Sequence, residues 1–499
     1  MFPLMFIIVL IVASLILRRR GWHRHAIVAD VLDIALLTWS CRDLFTIRDL
    51  LDGGMLIVGA SGSGKSSGSG KAIGRAVVRY PKSGGLIVAA KPEDYVFWKH
   101  LFKEAGRADD LIAFEPGGEW RLNFFDYLHA IDADARTTIK FILMLGESIS
   151  SARSGGGDDS RFFSEQNERW LYNAIVPLKL ALGKVSAPDI HKFFATAPTS
   201  VAQLSDDAWQ RGFHNRVMRA AYDKCPRGSS EAKDYALIGE EWFVNWAEMA
   251  DKTRTSIAAG IMGIIHPSTT GVVRELTSGE TNCSPLDMFK GKFILCNMPP
   301  SKYGVPGTFI GAGWRLLTQF TVLQREAGPD DCINVIFLDE FQQSVNSFDA
   351  EYLAQCRSHL GCMVCLTQSV HAIYAAMKND PGNHRANALL TNFKHKVFHS
   401  VGDAETAEYA SDLVGKSLQT FVGGSMSPVE DVFGAMMGRS QVTGSFSQHF
   451  EAVLQPSVFM HGLRTGGKRN DYLCDAFVIR SGETFSGGAN WIKVAFSQG

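Results

Sequence analysis

Apolar residues along this chain gather in short unbroken runs, at 55–58, 86–90, 111–114, 293–296, 335–338, 363–366 and 397–398. A strand buried on both faces reads as such a run, and the intervals leave room for helices to cover it, so the pattern predicts a parallel sheet in an α/β domain. The series is interrupted once. Between about 126 and 250 the periodicity is helical instead, over 136–145, 162–182 and 189–194, which predicts an all-α insertion. Two segments carry little pattern and are expected as loops: Ser-Gly-Gly-Gly-Asp-Asp at 154–159 and the Gly-, Ser- and Met-rich stretch 422–447.

The first 17 residues are almost wholly apolar, near the lower limit of the roughly 17–25 that cross a bilayer as a helix. Arg18, Arg19 and Arg20 follow directly, then His23, Arg24 and His25. Positive charge after the apolar run, rather than before it, predicts a retained single span with the bulk of the chain cytoplasmic. Burial of the run against a partner protein is the other reading. Residues 26–45 carry Asp30 and Asp33, whose insertion would cost about 2.5–3.5 kcal/mol each near a helix centre, so no second span is expected.

Composition excludes disordered and fibrous classes: 499 residues, 46% hydrophobic and 20% charged, supply a large core and two or three domains. A net charge of −1 provides no global positive field, so contact with nucleic acid would need a locally basic groove. Nine cysteines without a paired framework fit a reducing compartment. Cys362 and Cys365 form a C-x-x-C inside the apolar run Cys362–Leu366, which reads as a buried strand rather than a metal or redox site.

The chemistry begins after residue 58. Gly59, Ala60, Ser61, Gly62, Ser63, Gly64, Lys65 and Ser66 match G-x-x-x-x-G-K-[ST] directly behind a predicted strand, and Ser67 follows. Glycines let successive N–H groups turn inward around phosphates, and the helix that starts near Lys65 adds its positive end. Lys65 would reach the β- and γ-phosphates, and the Ser66 hydroxyl would ligate Mg²⁺. Gly68, Gly70 and Gly74 weaken that helix by about 1 kcal/mol each, which predicts close packing on the sheet.

The run 335–338 ends in Asp339 and Glu340, as the acidic strand end of such a site requires: Asp339 for the Mg²⁺ shell, Glu340 to orient and deprotonate the attacking water. Gln368, after the run 363–366, is placed to sense the γ-phosphate or to make a strand-end hydrogen bond. The strand at 86–90 lies between the two motifs in sequence, giving an additional-strand, RecA-like arrangement. ATP and Mg²⁺ are the expected ligands; no N-K-x-D motif supports guanine. The division expected is an anchor with basic flank (1–20), a first part of the nucleotide-binding domain (21–125), the all-α insertion (126–250), and the second part of the nucleotide-binding domain (251–499).

These residues resemble the coupling proteins of type IV secretion systems, the TraG/TraD-like P-loop ATPases of conjugative DNA transfer. Lys91-Pro92-Glu93 is similar to that family's D-P-K-G-E segment, although Ala89 and Ala90 replace its D-P. Leu122-Asn123-Phe124 is similar to its N-P-L turn, and Lys252 to Ser256 to the element returning from its all-α domain. Gln355 to Gly361, with Gln368, Ser369 and Tyr374, resembles its g-R-x-x-G-i … Q-S … Y pattern, and 392–415, with Asp403, Thr406 and Ala407, its next block. The resemblance implies a bacterial inner-membrane ATPase, a homo-hexamer in which a neighbour's arginine, Arg357 here, completes each site. Its implied partners are DNA with a relaxase-type complex and the inner-membrane components of the secretion channel. Arg357 also reads as a helix-surface arginine with a carboxylate partner. Only one span is evident where many family members have two, and no long substrate-recruiting tail is expected. A chromosome-partition or HerA-like DNA translocase, and a nucleotide-binding membrane docking adaptor for protein effectors, are the alternatives.

Overall fold

The computed structural model describes residues 30–498 apart from 132–133, 153–159, 227, 278–279, 378–380 and 429–439. The expected anchor and basic flank at 1–20 and the loop at 154–159 lie outside the described residues. Strands β1 (Ala35–Thr38) and β2 (Leu44–Thr46) pair as a small antiparallel unit. The main sheet holds nine strands: β3 (Met55–Val58), β4 (Ser83–Val88), β5 (Leu111–Phe114), β6 (Phe293–Cys296), β7 (Ile333–Leu338), β8 (Gly361–Thr367), β9 (His395–Phe398), β12 (Leu473–Arg480) and β13 (Trp491–Ser497). Each of the seven apolar runs overlaps one of these strands, the run 86–90 extending two residues past the end of β4.

Across the sheet the order is β13-β12-β9-β3-β8-β7-β4-β6-β5. From β9 to β5 every pair is parallel. The expected purely parallel sheet is corrected at one edge, where β12 runs antiparallel to β9 and β13 antiparallel to β12. Strand β8 lies between β3 and β7, so the strand of the phosphate-binding loop and the strand of the acidic pair are separated by one added strand.

Alternation along the central strands divides the interior in two. Leu56 and Val58, Ile336 and Leu338, and Met363 and Cys365 face one core, which continues into the helical region. Met55 and Ile57, Val335 and Phe337, and Val364 and Leu366 face the other, beneath the helices Lys71–Arg79 and Pro92–Glu104. Period-two alternation of side chains with both faces apolar is what makes these strands continuous hydrophobic runs.

Between β5 and β6 the regular elements among the described residues are all helices. Helices Ala135–Ala152, Ser160–Leu182 and Ala187–Ala195 carry the predicted periodicities. The last is opened by Ser186, whose hydroxyl accepts from the Asp189 N–H while the Asp189 carboxylate accepts from the Ser186 N–H, a reciprocal cap. Helices continue past 250, through Asp251–Ile265 and Gly271–Thr277, before the chain re-enters the sheet at β6. No single helix among the described residues is long and apolar enough to cross a membrane; Asp251–Thr269 and Gly271–Thr277 pass that test only together, bent by 72°.

The expected loop at 422–447 is also corrected over 422–428 and 440–447, while its middle, 429–439, lies outside the described residues. Strands β10 (Lys416–Pro428) and β11 (Ser440–Ala452) form a two-stranded antiparallel ribbon in register from Lys416 opposite Ala452 to Pro428 opposite Ser440.

Candidate nucleotide site

The phosphate-binding loop leaves the C-terminal end of β3 and is pinned on both sides. The Gly59 N–H donates to the Thr367 carbonyl at the end of β8 (3.2 Å), and the Ala60 N–H donates to Ser400 beyond β9 (2.9 Å). Gly62 and Gly64 take φ of +78° and +92°, open to glycine at little cost. A Cβ on Gly59 would lie 2.4 Å from Ser63 Oγ, and that hydroxyl is buried with no partner among the described residues. The loop is therefore a tight turn around a buried hydroxyl, with no room for a side chain at Gly59.

Lys65 opens a wide helical turn, Lys65–Gly70, that runs into Lys71–Arg79. Its glycines are explained by packing. A Cβ on Gly68 would meet Cys474 Sγ of β12 at 2.3 Å, and one on Gly74 would meet the Trp98 ring at 2.7 Å. The Ser69 hydroxyl lies 2.7 Å from His399 Nε2. Burial pushes His399 down to about 4, so a neutral imidazole supports the turn without adding charge beneath the loop. Ser67 Oγ accepts from Gln498 Nε2 (2.7 Å), which ties the turn to the segment after β13.

At the end of β7 the acidic pair meets this loop. Ser66 Oγ donates to Asp339 Oδ2 at 3.0 Å, and both line a small cavity of about 60 Å³ that Asp94 also lines. Burial and the charge of Asp339 raise the Asp94 carboxyl above the usual carboxylate range, against the pull of the N–H groups of Lys91 and Ala90. A hydroxyl and a carboxylate this close are hard oxygen donors of the kind that hold Mg²⁺ together with phosphate and water, so the residues present fit that ion.

Glu340 is only 5% exposed and takes φ +50°, a left-handed conformation uncommon for a residue with a side chain and found where structure enforces it. Its N–H donates to Asp339 Oδ1 (2.8 Å). Gln368 Nε2 donates to its carboxylate at 3.2 and 3.3 Å, and Gln342 Nε2 donates to Oε2 at 2.6 Å. Thr367 Oγ1 in turn donates to Gln342 Oε1 (2.9 Å). Lys65 Nζ and Lys91 Nζ lie 3.7 and 3.8 Å from Glu340 Oε1. Thus Lys65, Ser66, Asp339, Glu340 and Gln368 gather at one end of the sheet. Gln342 and Asp94 were missed by sequence reasoning: each is an ordinary polar residue just past a strand end, and only the turn geometry brings it inward.

Arg357 is placed elsewhere. It precedes the N-terminal end of β8, is 63% exposed, and its Nη1 donates to Asp52 Oδ1 at 2.9 Å. The seven residues of β8 span roughly 20 Å at about 3.3 Å each, so Arg357 does not join the site of its own chain.

Residues 334–457 match the family described as the TraM recognition site of TraD and TraG. No curated protein sequence matches the chain. Among solved structures, the bacterial conjugative coupling protein TrwBΔN70 in its unbound monoclinic form aligns with TM-score 0.57 at 15% identity, covering 91% of this chain and 86% of that one. The plasmid coupling protein TrwB with the non-hydrolysable ATP analogue ADPNP gives 0.56 at 15% identity, over 93% and 89%. TrwB with ADP and Mg²⁺ gives 0.55 at 14% identity, over 91% and 87%. The chain thus resembles conjugative coupling proteins in the sequence of its later part and in its fold.

Proposed function

We propose that this chain, sharing the fold of conjugative coupling proteins, is the coupling ATPase of a type IV secretion or conjugation system, which hydrolyses ATP to recruit DNA or a DNA–protein complex and move it into the channel. The observation that carries this reading is the convergence of Lys65, Gln368 and Gln342 on the buried Glu340 carboxylate, next to the Ser66–Asp339 pair. TrwB, whose fold is shared, has been seen with ADPNP and with ADP and Mg²⁺, which supports the same ligands here.

In this mechanism the backbone N–H groups of the loop and Lys65 hold the phosphates in line for attack. Mg²⁺ held by Ser66 and Asp339 would draw charge from the phosphate oxygens. Glu340 accepts a proton from the attacking water, and Gln342 and Gln368 hold its carboxylate in the orientation that requires. Arg357, remote from its own site, serves a neighbouring subunit in a homo-hexameric ring, stabilising transition-state charge there. Residues 1–20 anchor the ring in the bacterial inner membrane with the bulk of the chain cytoplasmic, and the match over 334–457 supports a protein partner of TraM type.

The test is Glu340→Gln in the full chain. It should keep Mg²⁺-dependent ATP binding while turnover falls by about 10²–10⁴, the usual worth of a positioned general base. Turnover equal to that of the unsubstituted protein would overturn the assignment.

A further inference from the structure

Two ammonium groups, not one, approach the carboxylate at the centre of this site. Lys65 belongs to the phosphate loop. Lys91 comes from a different element: it caps the helix Pro92–Glu104, just past β4, the neighbour of β7 in the sheet. Its Nζ lies 3.8 Å from Glu340 Oε1, against 3.7 Å for Lys65.

Lys91 is not held there by the ion pair alone. The Asp94 carboxylate accepts from the N–H groups of both Ala90 and Lys91 at 2.9 Å, and Ser301 Oγ donates to the Ala90 carbonyl (3.0 Å). The backbone that carries the lysine is therefore fixed on both sides. Its side chain is 53% exposed, while its carboxylate partner is 5% exposed. A cation that enters from solvent to meet a buried carboxylate is aimed into the site.

We infer that Lys91 is a second cationic residue of the reaction, supplied in cis, which touches the γ-phosphoryl oxygens as charge builds on them. This rests on the reading of the site as one of ATP hydrolysis. In that step water oxygen forms a bond to the γ-phosphorus, the bond from that phosphorus to the β,γ-bridging oxygen breaks, the water proton goes to Glu340, and ADP leaves with the bond's electron pair. The attacked phosphorus must lie within reach of the water that Glu340 orients. An ammonium within 4 Å of Glu340 Oε1 is within reach of the same oxygens. Preorganised charge at such a point acts on the transition state more than on the bound nucleotide, because negative charge is redistributed over the γ-phosphoryl oxygens and leaving group only as reaction proceeds. Lys65 is committed to the β- and γ-phosphates, and Arg357 is absent from its own site. Among the described residues of the same chain, Lys91 is the second cation placed beside Glu340 to follow the γ-phosphoryl group.

The experiment compares Lys91→Met, Lys91→Arg and Lys65→Ala in the full chain, with single-turnover hydrolysis, ADP affinity, and affinity for ADP with aluminium fluoride as a transition-state mimic. Lys91→Met should lower the single-turnover rate about 10–100-fold and weaken the mimic by the same factor, while ADP affinity stays within about twofold and the melting temperature is unchanged; Lys91→Arg should recover part of the rate. A rate within twofold of the unsubstituted protein, or equal losses of ADP and mimic affinity, would overturn the inference. If Lys65→Ala also left nucleotide binding and rate unchanged, the ATPase reading itself would fall. Loss in Lys65→Ala with none in Lys91→Met would remove Lys91 alone.

Discussion

The nucleotide end of the sheet and the helical region between β5 and β6 are built on opposite terms. At the nucleotide end, Lys65, Lys91, Asp94, Asp339 and Glu340 crowd together, with a left-handed backbone at Glu340. In the helical region Trp170, Trp242 and Trp246 pack edge to face at centroid distances of 4.5–5.0 Å, and Phe193 stacks on His214 at 4.0 Å. The Trp242 ring N–H donates to the Asn173 carbonyl. The nucleotide end gathers charged groups where chemistry is expected, and the helical region buries aromatic rings where only shape is needed. Activity and stability should therefore be separable by position.

The largest expected effect breaks the first region alone. Lys65→Ala should reduce ATP turnover by at least about 10³ through loss of phosphate binding and charge stabilisation, with little change in melting temperature, since Glu340 keeps Lys91 and two glutamine donors. Turnover and thermal melts on the same preparation check this. The converse is Trp170→Ala, which should cost about 3–5 kcal/mol of stability in denaturant unfolding, while ATP affinity below the transition is retained. A smaller effect sharpens the contrast by pH. Burial lowers the His214 imidazole to about 3 despite its hydrogen bond to the Phe193 carbonyl, so the folded state holds it neutral while the unfolded state takes up a proton below about 6.5. Its contribution is present above that value and is lost as pH falls from about 6.5 toward 3. Stability measured from pH 7 to pH 5 should decline, and His214→Phe should flatten part of that slope.

The central strands were legible because both faces are apolar, and the phosphate loop because its glycines and lysine occupy fixed places behind a strand. Other parts were hidden for physical reasons. Strand β12 carries Asp475 in mid-run, buried but paired with Arg464 and Lys493, so one charge concealed a core strand. In the ribbon β10–β11, Leu418 and Val422 lie opposite Phe450 and Phe446; a four-residue spacing suits one face of a strand and one face of a helix equally, and these side chains are exposed. The Glu340 shell depends on a turn that brings Gln342 back beside the acid it follows by two residues, a return that no local periodicity signals.

The most direct test of the central claim is ATP turnover by the full chain with and without single-stranded and double-stranded DNA, beside Glu340→Gln. The account predicts turnover that DNA stimulates and that the substitution abolishes. Turnover indifferent to both forms of DNA would contradict a DNA-moving motor.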